Sequence, residues 1–101
     1  MNTLKDYPPK KRVLDFSECQ YYEEIHQLIR QELELPEWYG RNLDALWDSL
    51  TGIMYLPAEI TIIYHPKNKN AGAAEEIGKI IEVFREAAAE YDEISLDLQI
   101  G

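Results

Sequence analysis

The feature that most constrains the fold is an alternation between short β-branched segments and segments with helical spacing of apolar residues. Residues 60–64 are a nearly continuous β-branched run, as in a parallel strand covered by helices. A first strand is predicted at 11–16, and residues 94–100 alternate as in a strand with one wet face. Helices are predicted from 17 to about 34, at 42–52, and from about 73 to 91. The order β-α-α-β-α-β predicts an α/β domain with a three-stranded parallel sheet flanked by helices.

Local signals indicate where the helices begin and end. Ser17, with Gln20 three residues later, fits a capping box for the first helix. Pro36 ends that helix because the residue before a proline is displaced from helical geometry. Asn42 is a favourable N-cap for the short second helix. Gly52 suits the left-handed position that closes it.

Length and charge restrict the class of protein. The chain has 101 residues, of which 46% are hydrophobic and 29% charged, enough for one domain with its own core. Residues 1–9, with two consecutive prolines, are predicted to be a tail, and residues 10–101 the domain. The formal net charge is −9, and residues 17–57 and 71–101 each contribute −6. This excess of acid disfavours nucleic acid as a partner and favours a basic one.

The compartment is also predicted from absences in the sequence. There is no run of about 18 apolar residues that would cross a membrane, so no membrane contact is expected. The amino-terminal residues lack the apolar block of a signal peptide. These observations favour a cytoplasmic location.

Signals for a metal, a cofactor or a nucleophile are weak. His26 and His65 fall in different predicted elements, without a cysteine or histidine at ligand spacing. Cys19 is the only cysteine, so no intrachain disulfide forms. The dipole of the first helix could lower the pKa of Cys19, although a small buried thiol is the favoured interpretation. No metal and no cofactor is therefore expected.

The second predicted helix has two contrasting faces. One is apolar and formed by Leu43, Leu46, Trp47 and Leu50. The other carries Asp44, Asp48 and Thr51 at positions i, i+4 and i+7. Two carboxylates one turn apart repel each other by a few tenths of a kcal/mol, roughly. Taken alone, the two aspartates fit a solvated acidic face. A locally unfavourable face is also expected where a surface serves an interaction.

Two aromatic residues precede this helix, on a loop bounded by proline and glycine. Trp38 and Tyr39 beside carboxylates are typical of an interaction hot spot. The same two rings could instead cover the edge of the core, or one could face inward and the other outward. Asp44 and Asp48 also allow an enzymatic interpretation, in which they divide acid and base roles. That chemistry needs a cleft and unequal environments, which one short helix does not obviously offer, so no enzyme is predicted.

The stretch Leu35–Gly52 resembles the signature of the barstar family, inhibitors of extracellular ribonucleases. Residues 83–87 and 89–90 give a second match, and residues 11–100 align in element order. The resemblance implies a proteinaceous ribonuclease inhibitor, or immunity protein, that binds a basic ribonuclease one to one and blocks its active site. The alternative is a module of this family that neutralises another toxin or acts as an adaptor.

The resemblance implies a contact surface formed by the second helix and the loop before it. Asp48 would occupy the site of a substrate phosphate, and Asp44 would pair with a neighbouring basic group. Trp38 would pack on a catalytic histidine, Thr51 would make a polar contact, and Glu86 a peripheral acidic one. The complete expected partner-binding set is Trp38, Tyr39, Asn42, Asp44, Trp47 (at the interface edge), Asp48, Thr51 and Glu86.

The sequence departs from the family pattern mainly at the rim of that surface. Barstar has glutamate where this chain has Arg41, tryptophan in place of Ile53, and tyrosine in place of Trp38. Because specificity is a difference of affinities often set by rim charges, the cognate enzyme is expected to differ from barnase. The oligomeric state of the free protein stays open.

Overall fold

The computed structural model describes residues 9–54, 56–67 and 70–101. Over these residues the elements follow the predicted order, which is confirmed. They are β1 (Lys10–Asp15), α1 (Tyr22–Glu32), α2 (Leu43–Asp48), β2 (Ala58–Tyr64), α3 (Ala71–Glu90) and β3 (Ile94–Ile100). A π-helical segment, Ser49–Ile53, continues α2. Of the predicted tail 1–9, residues 1–8 lie outside the described residues.

The three strands form one parallel sheet in the order β1-β2-β3. Arg12 pairs in register with Ile60, and Ile60 with Leu96, on the face that the helices cover. On the other face Val13 pairs with Thr61, and Val13 is 48% exposed. The helices thus cover one face of the sheet. The continuous apolar run in β2 follows from its central position, since the flanking strands shield its outward side chains.

The core lies between the covered face of the sheet and the three helices. Its largest fully buried side chains are Leu14, Phe16, Ile25, Ile29, Leu33, Leu46, Leu50, Ile60, Ile62, Ile77, Ile80 and Phe84. Burying each contributes roughly 1.5–3 kcal/mol relative to exposure. None of the helices in the described part of the chain has the length and apolar character needed to cross a bilayer.

A buried arginine attaches the end of α1 to the sheet. Arg12 is 4% exposed, and its Nη1 donates to the carbonyl oxygen of Glu32 at 3.0 Å. The same nitrogen lies 3.1 Å from Oε2 of Glu34. Glu34 follows the helix with φ of 56°, in the left-handed region typical of helix ends. The guanidinium therefore satisfies a carbonyl that the helix terminus leaves open.

The predicted capping box at the start of α1 is wrong, because the helix begins five residues after Ser17. The Ser17 hydroxyl instead accepts the backbone N–H of His65 at 2.8 Å and joins the β1–α1 turn to the end of β2. The cap is provided by Glu24, whose Oε1 accepts the backbone N–H groups of Gln20 at 2.8 Å and Tyr21 at 3.2 Å. A long-range hydrogen bond thus replaces the local one that the sequence pattern indicates.

Because α1 begins later than predicted, Cys19 also lies outside the helix. This residue lies in the turn before α1, half-buried, and not in a helical turn. Burial raises the pKa of its thiol, and the negative charges of Glu24 and Asp15 add to the effect. A thiol with a raised pKa is a poor nucleophile at neutral pH. Cys19 therefore fits the structural interpretation, and a dipole-lowered pKa is excluded.

The prediction that Gly52 closes the second helix in left-handed geometry is also wrong. No glycine in the described residues has a positive φ. The chain instead widens into Ser49–Ile53, where the backbone N–H of Met54 donates to the carbonyl of Ser49 at 2.8 Å. The Ser49 hydroxyl donates to the carbonyl of Ala45 at 2.8 Å. This wide turn exposes Ile53 and buries Met54.

The packing makes a prediction about stability. Phe84→Ala removes a fully buried ring from α3 and should lower the free energy of unfolding by about 3–5 kcal/mol. Val13→Ala on the uncovered face of the sheet is the matched control and should cost no more than about 0.5 kcal/mol. Urea unfolding of both variants measures the difference. Equal losses would show that the core does not lie where the structure places it.

Candidate partner-binding surface

The loop before α2 is fixed to the first turn of that helix. The backbone N–H of Tyr39 donates to the carbonyl of Pro36 at 3.0 Å and closes a turn. Asn42 accepts the N–H of Ala45 on Oδ1 at 2.7 Å and donates from Nδ2 to the carbonyl of Gly40 at 3.2 Å. A Cβ on Gly40 would lie 3.1 Å from that of Ala45, so the loop packs closely on the helix. Asn42 is confirmed as the N-cap, and its side chain serves the local fold.

Asp44 and Asp48 are both exposed on successive turns of α2. In the described part of the chain, no lysine or arginine nitrogen lies within 4.0 Å of either carboxylate. The last turn of α2 contains no basic residue either. These two negative charges are therefore balanced by solvent in the free protein and are open to external cations.

Trp47 and Thr51 are each half-buried next to the carboxylates. The Thr51 hydroxyl donates to the carbonyl of Trp47 at 2.8 Å, which uses its proton and leaves its oxygen as an acceptor. Trp47 packs against the core while part of it stays exposed. Trp47 packs toward the core, as its position in the apolar stripe predicts, and neither side chain is fully exposed.

The two aromatic residues of the loop differ in their exposure to solvent. Trp38 is 73% exposed, whereas Tyr39 is only 5% exposed. Of the orientations that the sequence left open, the structure has one ring outward and one inward. Trp38 is thus the large apolar group on the surface, and Tyr39 belongs to the support beneath it.

A buried hydrogen-bond network holds Tyr39 in place. The fully buried His26 of α1 has Nδ1 2.9 Å from the Tyr39 hydroxyl and Nε2 2.9 Å from Oε2 of Glu76 on α3. The ring centroids of Tyr22 and His26 are 4.5 Å apart, and the Tyr22 hydroxyl donates a hydrogen bond to the carbonyl of Arg41. Four side chains, Tyr22, His26, Tyr39 and Glu76, therefore connect α1, α3 and the loop; we call them the histidine network.

Glu86 occupies a different element. It is exposed on α3, the helix that packs beside α2. Glu86 thus carries negative charge on a helix next to the one that carries Asp44 and Asp48.

Sequence reasoning missed the support beneath this surface. The sequence showed no metal-ligand spacing around His26, but it did not identify the hydrogen-bond partners that the buried ring has in the structure. Glu76 lies 50 residues away in sequence and carries no local signal for this contact. The only available hint was a histidine between apolar positions on the first helix, since a buried imidazole needs hydrogen-bond partners.

Comparison with known proteins identifies the family of this chain. The sequence model of the Barstar family, described as "Barstar (barnase inhibitor)", matches residues 10–101. The "Putative ribonuclease inhibitor YrdF" of Bacillus subtilis (strain 168) is 32% identical over 91 residues, which cover 89% of this chain and 99% of that protein.

The fold and the surface define a small α/β protein that presents carboxylates and an exposed tryptophan on one short helix and its loop. The chain belongs to the barstar family, since the family match covers the whole predicted domain. It is a protein of the ribonuclease-inhibitor type.

The histidine network predicts a loss of stability when one member is removed. Tyr39→Phe leaves a ring nitrogen of the buried His26 without its partner, because no tautomer satisfies both nitrogens with Glu76 alone. The free energy of unfolding should fall by about 1–3 kcal/mol at neutral pH. Tyr21→Phe removes a hydroxyl from an exposed ring and is the control. Urea unfolding that finds no difference between the variants would contradict the network.

Tyr39→Phe should also change how the free energy of unfolding depends on pH in the alkaline range. Burial raises the pKa of Tyr39 strongly, and the charges of Tyr22 and Glu76 add to the shift. The folded chain thus retains a proton that the unfolded chain releases above about pH 10. Stability should therefore fall as pH rises beyond that value, and Tyr39→Phe should make this fall less steep. Unfolding from about pH 8 to 11 measures the slope, which Tyr21→Phe should leave unchanged.

Proposed function

We propose that this protein inhibits a basic ribonuclease by covering its active site with Trp38, Asp44 and Asp48. The proposed complex is one to one, and the protein acts as an inhibitor rather than as an enzyme. The observation that carries the proposal is a pair of exposed carboxylates, without an ion-pair partner among the described residues, on the helix that follows the loop of the 73% exposed Trp38. Membership of the barstar family and the name of the B. subtilis relative support it.

The physical basis is the charge of the target. A ribonuclease binds a polyanion, so its active site gathers cationic groups that stabilise phosphate. Carboxylates on a rigid helix can occupy those phosphate positions without being cleaved. The net charge of −9 extends the attraction beyond the contact and raises the association rate.

The proposed roles follow the family resemblance residue by residue. Asp48 takes the place of a substrate phosphate among cationic groups, and Asp44 pairs with a neighbouring basic group. Trp38 packs on a catalytic histidine, where its exposed ring loses its hydration. Thr51 offers the acceptor oxygen that its bond to Trp47 leaves available. The remaining members are Trp47 at the edge, Glu86 at the periphery, and Asn42 and Tyr39 as supports of the loop.

Rigidity favours tight binding. Tyr39 anchors the loop from below, and Asn42 fixes it to α2, so the surface is ordered before the partner arrives. A surface that is already ordered loses less conformational entropy on association. The buried network thereby contributes to affinity without touching the partner.

The exposed positions of Asp44 and Asp48 disfavour the enzymatic alternative. Dividing acid and base roles requires environments that separate the two pKa values. Both carboxylates instead lie in open solvent on one short helix. An inhibitor needs only their charge and geometry.

The deciding experiment is an RNA hydrolysis assay. Purified chain is titrated against a panel of small basic extracellular ribonucleases that includes barnase. Stoichiometric loss of activity for at least one enzyme supports the proposal. If no enzyme in the panel is inhibited at micromolar chain concentration, the proposal fails, and a non-ribonuclease toxin or adaptor role takes its place.

Removing the central charge should separate binding from folding. Asp48→Ala should weaken binding to the inhibited enzyme by about 2–5 kcal/mol, because it leaves cations of the enzyme buried without a partner. The free energy of unfolding should stay equal or rise slightly, since the repulsion from Asp44 disappears. Asp97→Asn on the uncovered face of the sheet is the control and should leave the dissociation constant unchanged. Loss of folding with unchanged affinity per folded molecule would make Asp48 structural.

Salt should slow association. Between about 0.05 and 1 M NaCl the screening length falls from above 10 Å to about 3 Å. We expect the association rate constant to fall at least roughly tenfold over this range, with a smaller change in the dissociation rate. Stopped-flow mixing of chain and inhibited enzyme measures both rates. An association rate that is independent of salt would refute electrostatic steering.

A further inference from the structure

Arg41 is a cation placed inside an otherwise acidic surface, in an unfavourable backbone conformation. Its φ is 55°, in the left-handed region that side chains other than glycine and asparagine adopt only at a cost in free energy. It stands directly between the loop that carries Trp38 and the N-cap of α2. Such a conformation persists only where surrounding contacts determine it, and it is frequent at binding sites.

A second residue with positive φ provides a comparison. Glu34 has φ of 56°, and its carboxylate meets Arg12 at 3.1 Å and Lys10 at 4.0 Å. Glu34 therefore combines a position at the end of α1 with ion pairs of its own side chain. Arg41 has no comparable ion pair, because no carboxylate in the described part of the chain lies within 4.0 Å of its guanidinium nitrogens.

The backbone of Arg41 is nevertheless held firmly. Tyr22 donates its hydroxyl to the Arg41 carbonyl, and the ring of Tyr22 rests 4.5 Å from that of buried His26. Gly40 precedes it, packed closely against Ala45. The histidine network thus fixes the peptide of Arg41 while its side chain stays exposed.

We propose that Arg41 is a specificity-determining residue that pairs with a carboxylate of the ribonuclease, located at the rim of the enzyme's basic active site. The proposal rests on the chain acting as a ribonuclease inhibitor and names the chemistry of its partner. The contact surface is dipolar: Asp44 and Asp48 select cations, and Arg41 requires an anion on the side of the aromatic loop. A ribonuclease with lysine or arginine at that position is rejected by like-charge repulsion.

Charge reversal distinguishes this pairing from bulk attraction. If only net charge mattered, Arg41→Glu would make an acidic inhibitor more acidic and would speed its association with a basic enzyme. If Arg41 pairs with a carboxylate of the enzyme, Arg41→Glu should instead weaken binding. Two carboxylates then face each other in a desolvated interface, and the complex dissociates faster.

The experiment uses the full chain and each ribonuclease that the wild type inhibits in the panel. Dissociation constants are measured for Arg41→Glu, Arg41→Ala and Arg41→Lys, with Lys11→Glu on the uncovered face of the sheet as the charge-matched control. We expect weakening of roughly a hundredfold for glutamate and roughly tenfold for alanine, and substantial rescue by lysine. Replacing acidic residues of the enzyme one at a time by their amides should abolish the effect of Arg41→Ala at one position.

Arg41→Gly separates binding from strain. Glycine adopts positive φ freely and keeps the backbone carbonyl that Tyr22 contacts, so the thermal midpoint should rise. Affinity should fall as for alanine. A merely structural arginine would instead show unchanged affinity per folded molecule.

The outcomes are distinct. Wild-type inhibition with weaker binding by Arg41→Glu supports the pairing. Wild-type inhibition with equal or tighter binding by Arg41→Glu overturns it and leaves the inhibitor function intact. If the wild type inhibits no enzyme of the panel, the proposed function and the pairing fail together.

Discussion

The hydrogen bonds of His26 are the constraint on which the rest of the contact surface depends. An imidazole with no exposed area needs a partner at each ring nitrogen, and Tyr39 and Glu76 supply them from the loop and from α3. Tyr22 extends the connection to the backbone of Arg41. A loop without regular structure is therefore held by the two longest helices. This is how a small domain can present a tryptophan at a fixed position.

The surface above this support has the opposite character. Asp44 and Asp48 repel each other, and no ion pair within the described residues offsets that repulsion in the free protein. In the complex that we propose, cations of the ribonuclease would replace the water around these carboxylates. The protein thus combines a buried network whose polar atoms are hydrogen-bonded within the chain with exposed carboxylates that are solvated. In our proposal the carboxylates, and not the buried network, contact the partner.

Features encoded by adjacent residues were predicted well from the sequence. Asn42 caps α2 because its side chain reaches a backbone N–H three residues away, and the β-α-α-β-α-β order follows from apolar spacing. Ser17 and Gly52 were misassigned because contacts elsewhere decide their roles: a backbone N–H 48 residues distant for Ser17, and a widened helical turn for Gly52. Glu76 was missed since only the folded chain brings it to His26. Local chemistry predicts candidate surface residues, whereas the tertiary contacts that position them are not visible in the sequence.

The widened turn at Ser49–Ile53 lets the buried stripe of α2 continue while Ile53 stays at the surface. Leu46, Leu50 and Met54 continue the buried stripe at intervals of four, while Ile53 lies 44% exposed beyond Asp48 and Thr51. Position 53 can therefore accept a side chain of another size or polarity without disturbing the core. Such a position allows the exposed rim beside α2 to change in sequence while the scaffold stays constant.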